Sequence, residues 1–527
     1  MPKQKTIFKR VTAALTAAFA AGSLAVSAYA ATEQRLVGYM GDLNGDMFVS
    51  DIDIQILTEH LLTNGGITDP EAAFRADLNK DQCLDVRDLT LLRRVVLGGK
   101  GPDEIYEEVE VPDPEPELIA PPVKSVRPTL PSVGDTNILM FVIDFPDCVR
   151  SDHYTAEEIT ERTFGPEDKN SKAYPMESIS AFYNRASYGR LQMHGDVFLY
   201  NAQGSINNYI NPKGDTASYV GTDKLLDEVM AAFDAQVDFT KYDTDKNGTI
   251  DTILLALPGS AGSEYWWPCS GGYYGKQSFD GVRGGNLCYG GWDLSDRAGF
   301  NGTWTHELGH AMGLPDYYRY ENFDNTAEDD YGRGLSGDAG WLTMDDALGD
   351  MSCFDKLMYG WYTDAEVQIY SGGTQTYTLQ SSQYAPNCVL IPRKELNGFH
   401  SEYFMIESVT PDENNYMGFS YRQSFQMFRK GGVRILHCNA EIANGWWGPE
   451  FKWNNYGKNY DTSNLTRRVL RLVNNFGGFF REGSLIDSSV KGFAWYDALG
   501  FETVDPGFTV KVDSLQDGTA VVTVSPK

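Results

Sequence analysis

The sequence predicts a multidomain protein with a small α-helical module, a larger α/β or α+β region and a β-rich, sandwich-like C-terminal region. Near the N-terminus, two acid-rich loops repeat at an offset of 35 residues, and an apolar-periodic helix pattern follows each loop. From residue 135 to 365, apolar strand patterns alternate with amphipathic helix patterns. Residues 366–527 contain short strand patterns separated by turn residues, which is typical of a β-sandwich.

Length, composition and charge limit the classes of function. A chain of 527 residues is long enough for several hydrophobic cores, and 42% hydrophobic with 22% charged residues is typical of globular proteins. The formal net charge of −29 argues against nucleic acid and anionic membranes as partners. After residue 30, no segment is apolar over the length that a membrane span needs. We therefore expect no nucleic-acid partner and no membrane span.

The first residues have the pattern of a secretory signal peptide. A basic segment, "MPKQKTIFKR", precedes the apolar run "VTAALTAAFAAGSLAVSAYA", which ends on Ala28-Tyr29-Ala30. A basic start, an apolar run and an A-x-A end are the three parts of such a signal. We expect residues 1–30 to be removed and the mature protein to be secreted and extracellular.

The two acid-rich loops have the spacing of calcium sites. In each loop, position 7 (Phe48 or Cys83) would offer a backbone carbonyl, and a hard cation that takes several oxygen ligands needs this alternation. A single acidic loop is often only a solvated turn, but two copies in register favour calcium binding. The oxygen side chains at loop positions 1, 3, 5, 9 and 12 are Asp42, Asn44, Asp46, Ser50 and Asp53 in the first loop, and Asp77, Asn79, Asp81, Asp85 and Asp88 in the second.

This pair of repeats, residues 37–100, resembles a type I dockerin. The resemblance implies two calcium ions and docking onto a cohesin domain of a scaffolding protein, as in a cellulosome-type complex. Loop position 6, a glycine in that pattern, is Met47 in one repeat and Gln82 in the other. Loop positions 10 and 11 read the cohesin partner and are Asp51-Ile52 and Val86-Arg87 here. Because these pairs differ, we expect no symmetric, two-way binding mode.

The stretch that follows the repeats, residues 101–134, is dense in Pro, Glu and Asp. Such a composition does not bury a core and predicts an extended, semi-rigid spacer. Part of an inhibitory propeptide is the alternative, since the α/β region follows directly.

A metal-binding helix is predicted within "THELGHAMGLPDYY", residues 305–318. His306 and His310 are four residues apart and share one helix face, so both imidazoles can reach one ion. Glu307 stands beside the first histidine, where a carboxylate can act as a general base. This H-E-x-x-H pattern predicts a catalytic zinc site.

The third ligand of this site has two candidates. Gly313 predicts the end of the helix and a turn that brings Asp316 within reach of the metal. A different arrangement takes a glutamate from a later element, and Glu328 stands 18 residues after His310. The glycine turn favours Asp316, with Glu328 as the alternative.

Residues 135–365 resemble the catalytic domain of immune inhibitor A-like metallopeptidases, secreted bacterial enzymes of the metzincin type. This resemblance implies a metzincin-like fold, one catalytic zinc and a protein or peptide substrate. It also makes Met344 the Met-turn residue, an apolar floor beneath the metal. The segments that resemble the family are "ILMFVIDFPD" (138–147), "SISAFYNRASYGRL" (178–191), "HELGHAMGLPDYY" (306–318) and "GWLTMDDALGDMSCFDKLMYGW" (340–361).

A third acidic loop lies within "KYDTDKNGTIDTILLAL". The family resemblance supports a structural calcium ion there, and a solvated Asn-Gly turn is the alternative. The candidate ligands are Asp243, Asp245, Asn247, the carbonyl of Thr249 and Asp251.

Together these patterns predict a secreted zinc endopeptidase that a dockerin attaches to a cohesin-bearing scaffold. His306, His310 and Asp316 are the expected zinc ligands, and Glu307 is the expected general base. Two alternatives come from other classes: a catalytically silent binding subunit with the same fold, and a glycan-directed metal hydrolase. The complete H-E-x-x-H set favours the peptidase over both.

Overall fold

The structure is a computed structural model, and its residues fall into two compact units, Met1–Glu115 and Pro116–Lys527, which are described separately. The predicted signal peptide lies outside the described residues. Those residues are 32–46, 48–63, 65–98, 103–110, 130–210, 219–262, 266–273, 277–291, 293–317, 342–346, 349–393, 398–416, 430–445, 448–453, 467–473 and 479–527.

Among its described residues, the first unit has three α-helices and a two-stranded antiparallel sheet. Asp69 caps the second helix, and Asp85 and Asp88 form a capping box at the start of the third, so loop and helix share the same acidic residues. Its core is formed by Leu43, Leu57, Ala76 and Leu92. The elements are β1 (Thr32–Tyr39), α1 (Asp51–Thr63), α2 (Pro70–Ala76), α3 (Val86–Val96) and β2 (Glu104–Glu110).

Strand β2 differs from the sequence-based expectation for residues 101–134. That stretch was expected to be a spacer, but Glu104–Glu110 pairs with β1, and Tyr106 lies opposite Leu36. Aromatic and β-branched residues in "EIYEEVE" favour a strand, although the average composition is acidic. At the other end of the stretch, Leu130 is buried and belongs to the second unit. Residues 111–129 lie outside the described residues.

The second unit is built around a mixed six-stranded sheet with the order β4-β3-β5-β8-β6, and β7 also pairs with β8. Strands β3, β4, β5 and β8 are parallel, whereas β6 and β7 run antiparallel to β8. The strands are β3 (Gly134–Asp144), β4 (Leu191–Asn201), β5 (Thr249–Leu257), β6 (Cys269–Gly272), β7 (Ser278–Phe279) and β8 (Val282–Gly291).

The continuous apolar sequence of the central strands follows from burial on both faces of this sheet. In β3, Met140 belongs to one core and Phe141 to the other, because successive side chains point to opposite faces. Two of the apolar strand patterns expected between residues 135 and 365, "NILMFVIDF" and "TILLALPG", fall in β3 and β5. The helices of this region are α4 (Ala156–Phe164), α5 (Ile179–Ala186), α6 (Tyr219–Phe233), α7 (Gly259–Gly262), α8 (Arg297–Ala311), α9 (Thr343–Asp346) and α10 (Cys353–Met358).

The C-terminal part is β-rich, as predicted. A five-stranded sheet has the order β16-β13-β12-β11-β9, a four-stranded sheet has the order β10-β21-β20-β17, and β14-β15 and β18-β19 are separate pairs. The strands are β9 (Val367–Ile369), β10 (Gln375–Leu379), β11 (Cys388–Pro392), β12 (Glu402–Val409), β13 (Gly432–Asn439), β14 (Ile442–Gly445), β15 (Gly448–Phe451), β16 (Leu470–Leu472), β17 (Leu485–Ile486), β18 (Trp495–Tyr496), β19 (Glu502–Val504), β20 (Phe508–Gln516) and β21 (Thr519–Pro526).

The five-stranded sheet is buried on both faces. Phe404 and Ile406 of β12 share a core with Val522 of the four-stranded sheet, whereas Tyr403 and Met405 share the core that contains α8. Residues on either side of position 365 therefore have one hydrophobic core in common, and the domain boundary at that position stays a prediction. Among the described residues, no helix combines the length and apolarity that crossing a membrane requires.

Candidate metal centre

The histidines of the predicted metal helix converge on one carboxylate. Helix α8 starts at an Asp296 cap and carries His306 and His310 with their rings perpendicular and their centroids 4.8 Å apart. Asp316 Oδ1 lies 3.0 Å from His306 Nε2 and 3.2 Å from His310 Nε2. Gly313, at φ +110°, turns the chain after the helix so that Asp316 returns to it. The structure thus brings these three predicted ligands together.

Main-chain carbonyls orient both imidazoles. His306 Nδ1 lies 2.8 Å from the carbonyl oxygen of Thr343, and His310 Nδ1 lies 2.7 Å from that of Leu314. An Nδ1 that donates to a carbonyl leaves the Nε2 of a neutral imidazole as a lone-pair donor. Two such nitrogens and the Asp316 carboxylate then face each other. Together they form a ligand set that can hold a divalent cation.

The separations fit zinc. Two ligand atoms at about 2.0 Å from a tetrahedral zinc lie about 3.3 Å from each other, and the two N–O separations here are 3.0 and 3.2 Å. The Asp316 carboxylate also interacts with the charges of the two imidazoles. Burial lowers the pKa of His310, but the charge and hydrogen bond of Asp316 outweigh it and raise that pKa to about 9. Burial raises the pKa of Asp316, yet the two histidines hold it well below its usual range.

Glu307 occupies a buried position beside this group. Its side chain is 5% exposed, and no described group hydrogen-bonds its Oε2. Burial raises the pKa of Glu307, while the charges of His306 and His310 and a main-chain hydrogen bond from Ser270 oppose that rise. Ser270 belongs to the edge strand β6, so the sheet edge and the helix meet at this carboxyl.

Met344 packs directly beneath the helix. A Cβ on Gly309 would lie only 2.3 Å from Met344 Sδ, so glycine permits this close approach. The carbonyl oxygen of Met344 accepts a hydrogen bond of 3.0 Å from the N–H of Tyr317. The Met-turn role of Met344, an apolar floor beneath the metal, stays a prediction.

The third acidic loop brings Asp243, Asp245 and Asp251 together, with one carboxylate oxygen of each within 4.8 Å of the others. The main-chain N–H of Asn247 donates to Asp243 at 3.0 Å, and Thr249 begins β5. No described group hydrogen-bonds Oδ1 of the buried Asp251. Burial, with the charges of Asp245 and Asp243, raises the pKa of Asp251 to about 6. These residues fit a divalent cation.

The two loops of the first unit have matching hydrogen-bond networks. In the first, Asp53 accepts from the N–H of Leu43 at 2.7 Å and of Ser50 at 2.7 Å. In the second, Asp88 accepts from the N–H of Asn79 at 3.2 Å and of Asp85 at 3.0 Å. The first and last acids of the loops are buried, namely Asp42, Asp53, Asp77 and Asp88.

Of the other predicted ligands of the first unit, Asn44, Asp46 and Asp81 are exposed, whereas Ser50, Asn79 and Asp85 are partly buried. Asn44, Asp46 and Asp81 hydrogen-bond within their own loops. Gln82 has φ +63°, the left-handed conformation for which the pattern has glycine. The predicted cohesin-reading residues begin α1 and α3 and are exposed: Asp51, Ile52, Val86 and Arg87.

The sequence-based prediction did not include several groups of the candidate metal centre. Thr343, Leu314 and Ser270 act through main-chain atoms. Such atoms carry no residue-type signal, so only the fold reveals them. Two predicted positions, Glu328 and Met47, lie outside the described residues. The choice between Asp316 and Glu328 therefore stays a prediction.

The comparison with family models identifies one part of the chain. Residues 40–97 match the model of the dockerin type I domain. Dockerins of this type bind calcium and dock onto cohesin domains of scaffolding proteins. Residues 40–97 therefore form a type I dockerin domain, a class that attaches proteins to extracellular complexes of the cellulosome type.

The remaining comparisons add little. One solved structure that matches is the catalytic inactive OgpA from Akkermansia muciniphila in complex with an O-glycopeptide (glycodrosocin) substrate. The match has 15% sequence identity, covers 57% of this chain and 75% of that one, and has a TM-score of 0.21. A TM-score this low carries no weight for fold or function. No curated protein matches the chain.

Proposed function

We propose that this protein is a secreted zinc-dependent endopeptidase that cleaves protein substrates and that its dockerin attaches to a cohesin-bearing scaffold. The observation that carries the proposal is the convergence of His306, His310 and Asp316, with Glu307 on the same helix. Three ligands leave a position open in a four-coordinate site, as catalytic zinc requires.

The proposal includes the architecture of the second unit. Residues 135–365 are a metzincin-like catalytic domain, which the mixed sheet, helix α8 and Met344 beneath it support. Residues 366–527 are a sandwich-like domain, which the shared core of the two C-terminal sheets supports. The cluster of Asp243, Asp245 and Asp251 holds a structural calcium ion, with Asn247 and Thr249 completing the loop.

The chemistry follows from the buried carboxyl and the oriented imidazoles. When bound, zinc supplies Lewis-acid chemistry to the scissile carbonyl and to water. Glu307 accepts a proton from the attacking water and later passes it to the leaving amine. Burial raises the pKa of Glu307, which favours the protonated carboxyl that holds the proton between these two transfers. The carbonyls of Thr343 and Leu314 fix the ring orientations throughout.

Hydrolysis of casein by the purified protein tests the enzymatic part. Glu307→Gln should reduce the rate by about 10²- to 10⁴-fold, the range for a positioned general base, while the zinc content measured by mass spectrometry stays at the wild-type level. Glu161→Gln is the matched control, since Glu161 is exposed on α4. Removal of zinc with a chelator should abolish cleavage, and added zinc should restore it. A zinc-loaded protein that cuts no protein would sink the peptidase proposal.

Binding to a panel of cohesins by calorimetry, with and without calcium, tests the attachment. Ile52 is 53% exposed and Val86 is 68% exposed, so a charge at either position should not disturb the core. We expect Ile52→Asp and Val86→Asp to have unequal effects on one cohesin, because the two repeats present different side chains. Equal losses would show that both repeats bind in the same way.

A further inference from the structure

The residue after the third candidate ligand is anchored at two points. Tyr317 directly follows Asp316 and is fully buried. Its main-chain N–H donates to the carbonyl of Met344 at 3.0 Å, and its hydroxyl donates to Oδ1 of Asp355 on helix α10. The chain is therefore held by both main chain and side chain one residue beyond Asp316.

The acceptor of this hydroxyl is itself fixed. Oδ2 of Asp355 accepts hydrogen bonds from the N–H of Ser352 at 2.6 Å and from the hydroxyl of Ser352 at 2.8 Å, within the capping box of α10. Both oxygens of the Asp355 carboxylate thus accept hydrogen bonds. Its position in the first turn of α10 also favours a negative charge. Asp355 is fully buried, and these hydrogen bonds restrict its side chain.

Asp316 lies in a short non-helical segment between two fixed points. On one side, Leu314 accepts a hydrogen bond from His310 at 2.7 Å and donates its N–H to Gly309 at 3.1 Å. On the other side is Tyr317 with its two anchors. A loop residue keeps ligand geometry only when neighbouring contacts restrict its backbone, and loosening such contacts typically weakens metal binding.

We propose that Tyr317 and Asp355 are positioning residues that hold Asp316 in the geometry required for zinc binding. The inference rests on the proposed zinc site and extends it to a hydrogen bond between two residues that do not touch the metal. A purely packing role for Tyr317 makes a different prediction, because phenylalanine would fill the same space without the hydroxyl.

The test measures the zinc affinity of the full chain by competition with a chromophoric chelator. Tyr317→Phe and Asp355→Asn should each weaken binding by about 10- to 100-fold, the usual range for groups that orient a ligand. The double variant should lose no more zinc affinity than the single variant with the larger loss, because both substitutions break the same hydrogen bond. Tyr403→Phe is the matched control: Tyr403 is buried in the same core, and no described group hydrogen-bonds its hydroxyl.

A second readout separates ligand geometry from general stability. With Co²⁺ in place of Zn²⁺, the visible spectrum of Tyr317→Phe should shift toward that of Asp316→Ala, and Tyr403→Phe should keep the wild-type spectrum. Wild-type zinc affinity and spectrum in Tyr317→Phe would overturn the inference and leave the zinc site intact. A wild-type protein that binds no zinc would overturn both. If Asp355→Asn does not fold, Tyr317→Phe decides alone.

Discussion

Lys356 Nζ lies 2.8 Å from Asp350 Oδ2, and both side chains are buried. The ammonium group also donates to the carbonyl of Ser382 at 2.8 Å, and Asp350 accepts from the side chain of Asn414 at 3.1 Å. Burial lowers the pKa of Lys356, but the charge of Asp350 outweighs it and keeps that pKa raised. The ion pair lies within residues 135–365, and it also contacts Ser382 and Asn414 of the C-terminal region and the hydroxyl of Tyr188.

Loss of one partner of this ion pair should strongly lower the free energy of unfolding. Lys356→Met leaves the charge of Asp350 buried without its partner, which typically costs about 3–5 kcal/mol of the free energy of unfolding. The double variant with Asp350→Asn should recover part of that loss. Urea unfolding measures both, with Lys172→Met as the control because Lys172 is exposed. A loss from Lys356→Met no larger than that of the control would contradict the prediction.

The identity of the third ligand of the proposed zinc site gives a second prediction. Asp316→Asn should weaken zinc binding by more than about 100-fold, since losing a group that only orients a ligand already costs 10- to 100-fold. Glu328→Gln should leave the affinity unchanged if Asp316 is the ligand. Zinc titration of both variants decides between the two candidates, and the reverse pattern would assign the role to Glu328.

The local parts of this site were predictable and the distant parts were not. The spacing of His306, Glu307 and His310 on one helix face, and the turn at Gly313, are visible within one short segment. Thr343 reaches His306 across 37 residues of chain through a carbonyl oxygen, so neither its residue type nor its position signals the contact. Such contacts depend on how distant elements pack against each other. A local sequence pattern therefore does not predict them.

The C-terminal fold shows the same limit. Short strand patterns predicted the β-rich region, but they did not predict that the five-stranded sheet is buried on both faces. Glu407 and Arg434 are buried there, lie opposite each other in β12 and β13, and are joined at 2.9 Å. Their charges suggest solvent exposure in the sequence, and only the strand register shows that they compensate each other.

The third acidic loop predicts calcium-dependent stability. At a calcium concentration 100 times the dissociation constant, binding adds about 2.7 kcal/mol to the free energy of unfolding. Asp251→Asn removes the buried carboxylate and should remove most of this gain. Thermal unfolding with and without calcium measures this gain in stability. The substitutions Asp53→Asn and Asp88→Asn in the dockerin identify the part of the calcium response that comes from the dockerin. A calcium response of the second unit that survives Asp251→Asn would contradict the assignment.

His437 lies in a fully buried position between two carboxylates. Its Nε2 lies 3.0 Å from Glu402, and its Nδ1 lies 3.1 Å from Glu502. Arg471 pairs with Glu502, and Arg393 pairs with Glu402, so the group carries both charge signs. Burial lowers the pKa of His437, but the hydrogen bonds to Glu402 and Glu502 outweigh it and raise that pKa above its ordinary value.

This arrangement predicts that stability falls as the pH rises above neutrality. An unfolded histidine releases its proton near pH 6.5, whereas the folded protein keeps the proton on His437 to a higher pH. Between these two values the folded state binds more protons than the unfolded state, so the free energy of unfolding decreases with rising pH. The stabilisation is fully present below about pH 6.5 and is lost as the pH passes the raised value.

Urea unfolding at pH 6, 7, 8 and 9 measures this dependence. His437→Gln should remove the part of the decline that its one proton contributes, at most about 1.4 kcal/mol per pH unit. The variant should also be less stable at pH 6, because Glu402 and Glu502 then lose a positive partner. His153→Gln is the control, since His153 is exposed and should leave the slope unchanged. A wild-type decline that persists in His437→Gln would show that another group carries the proton.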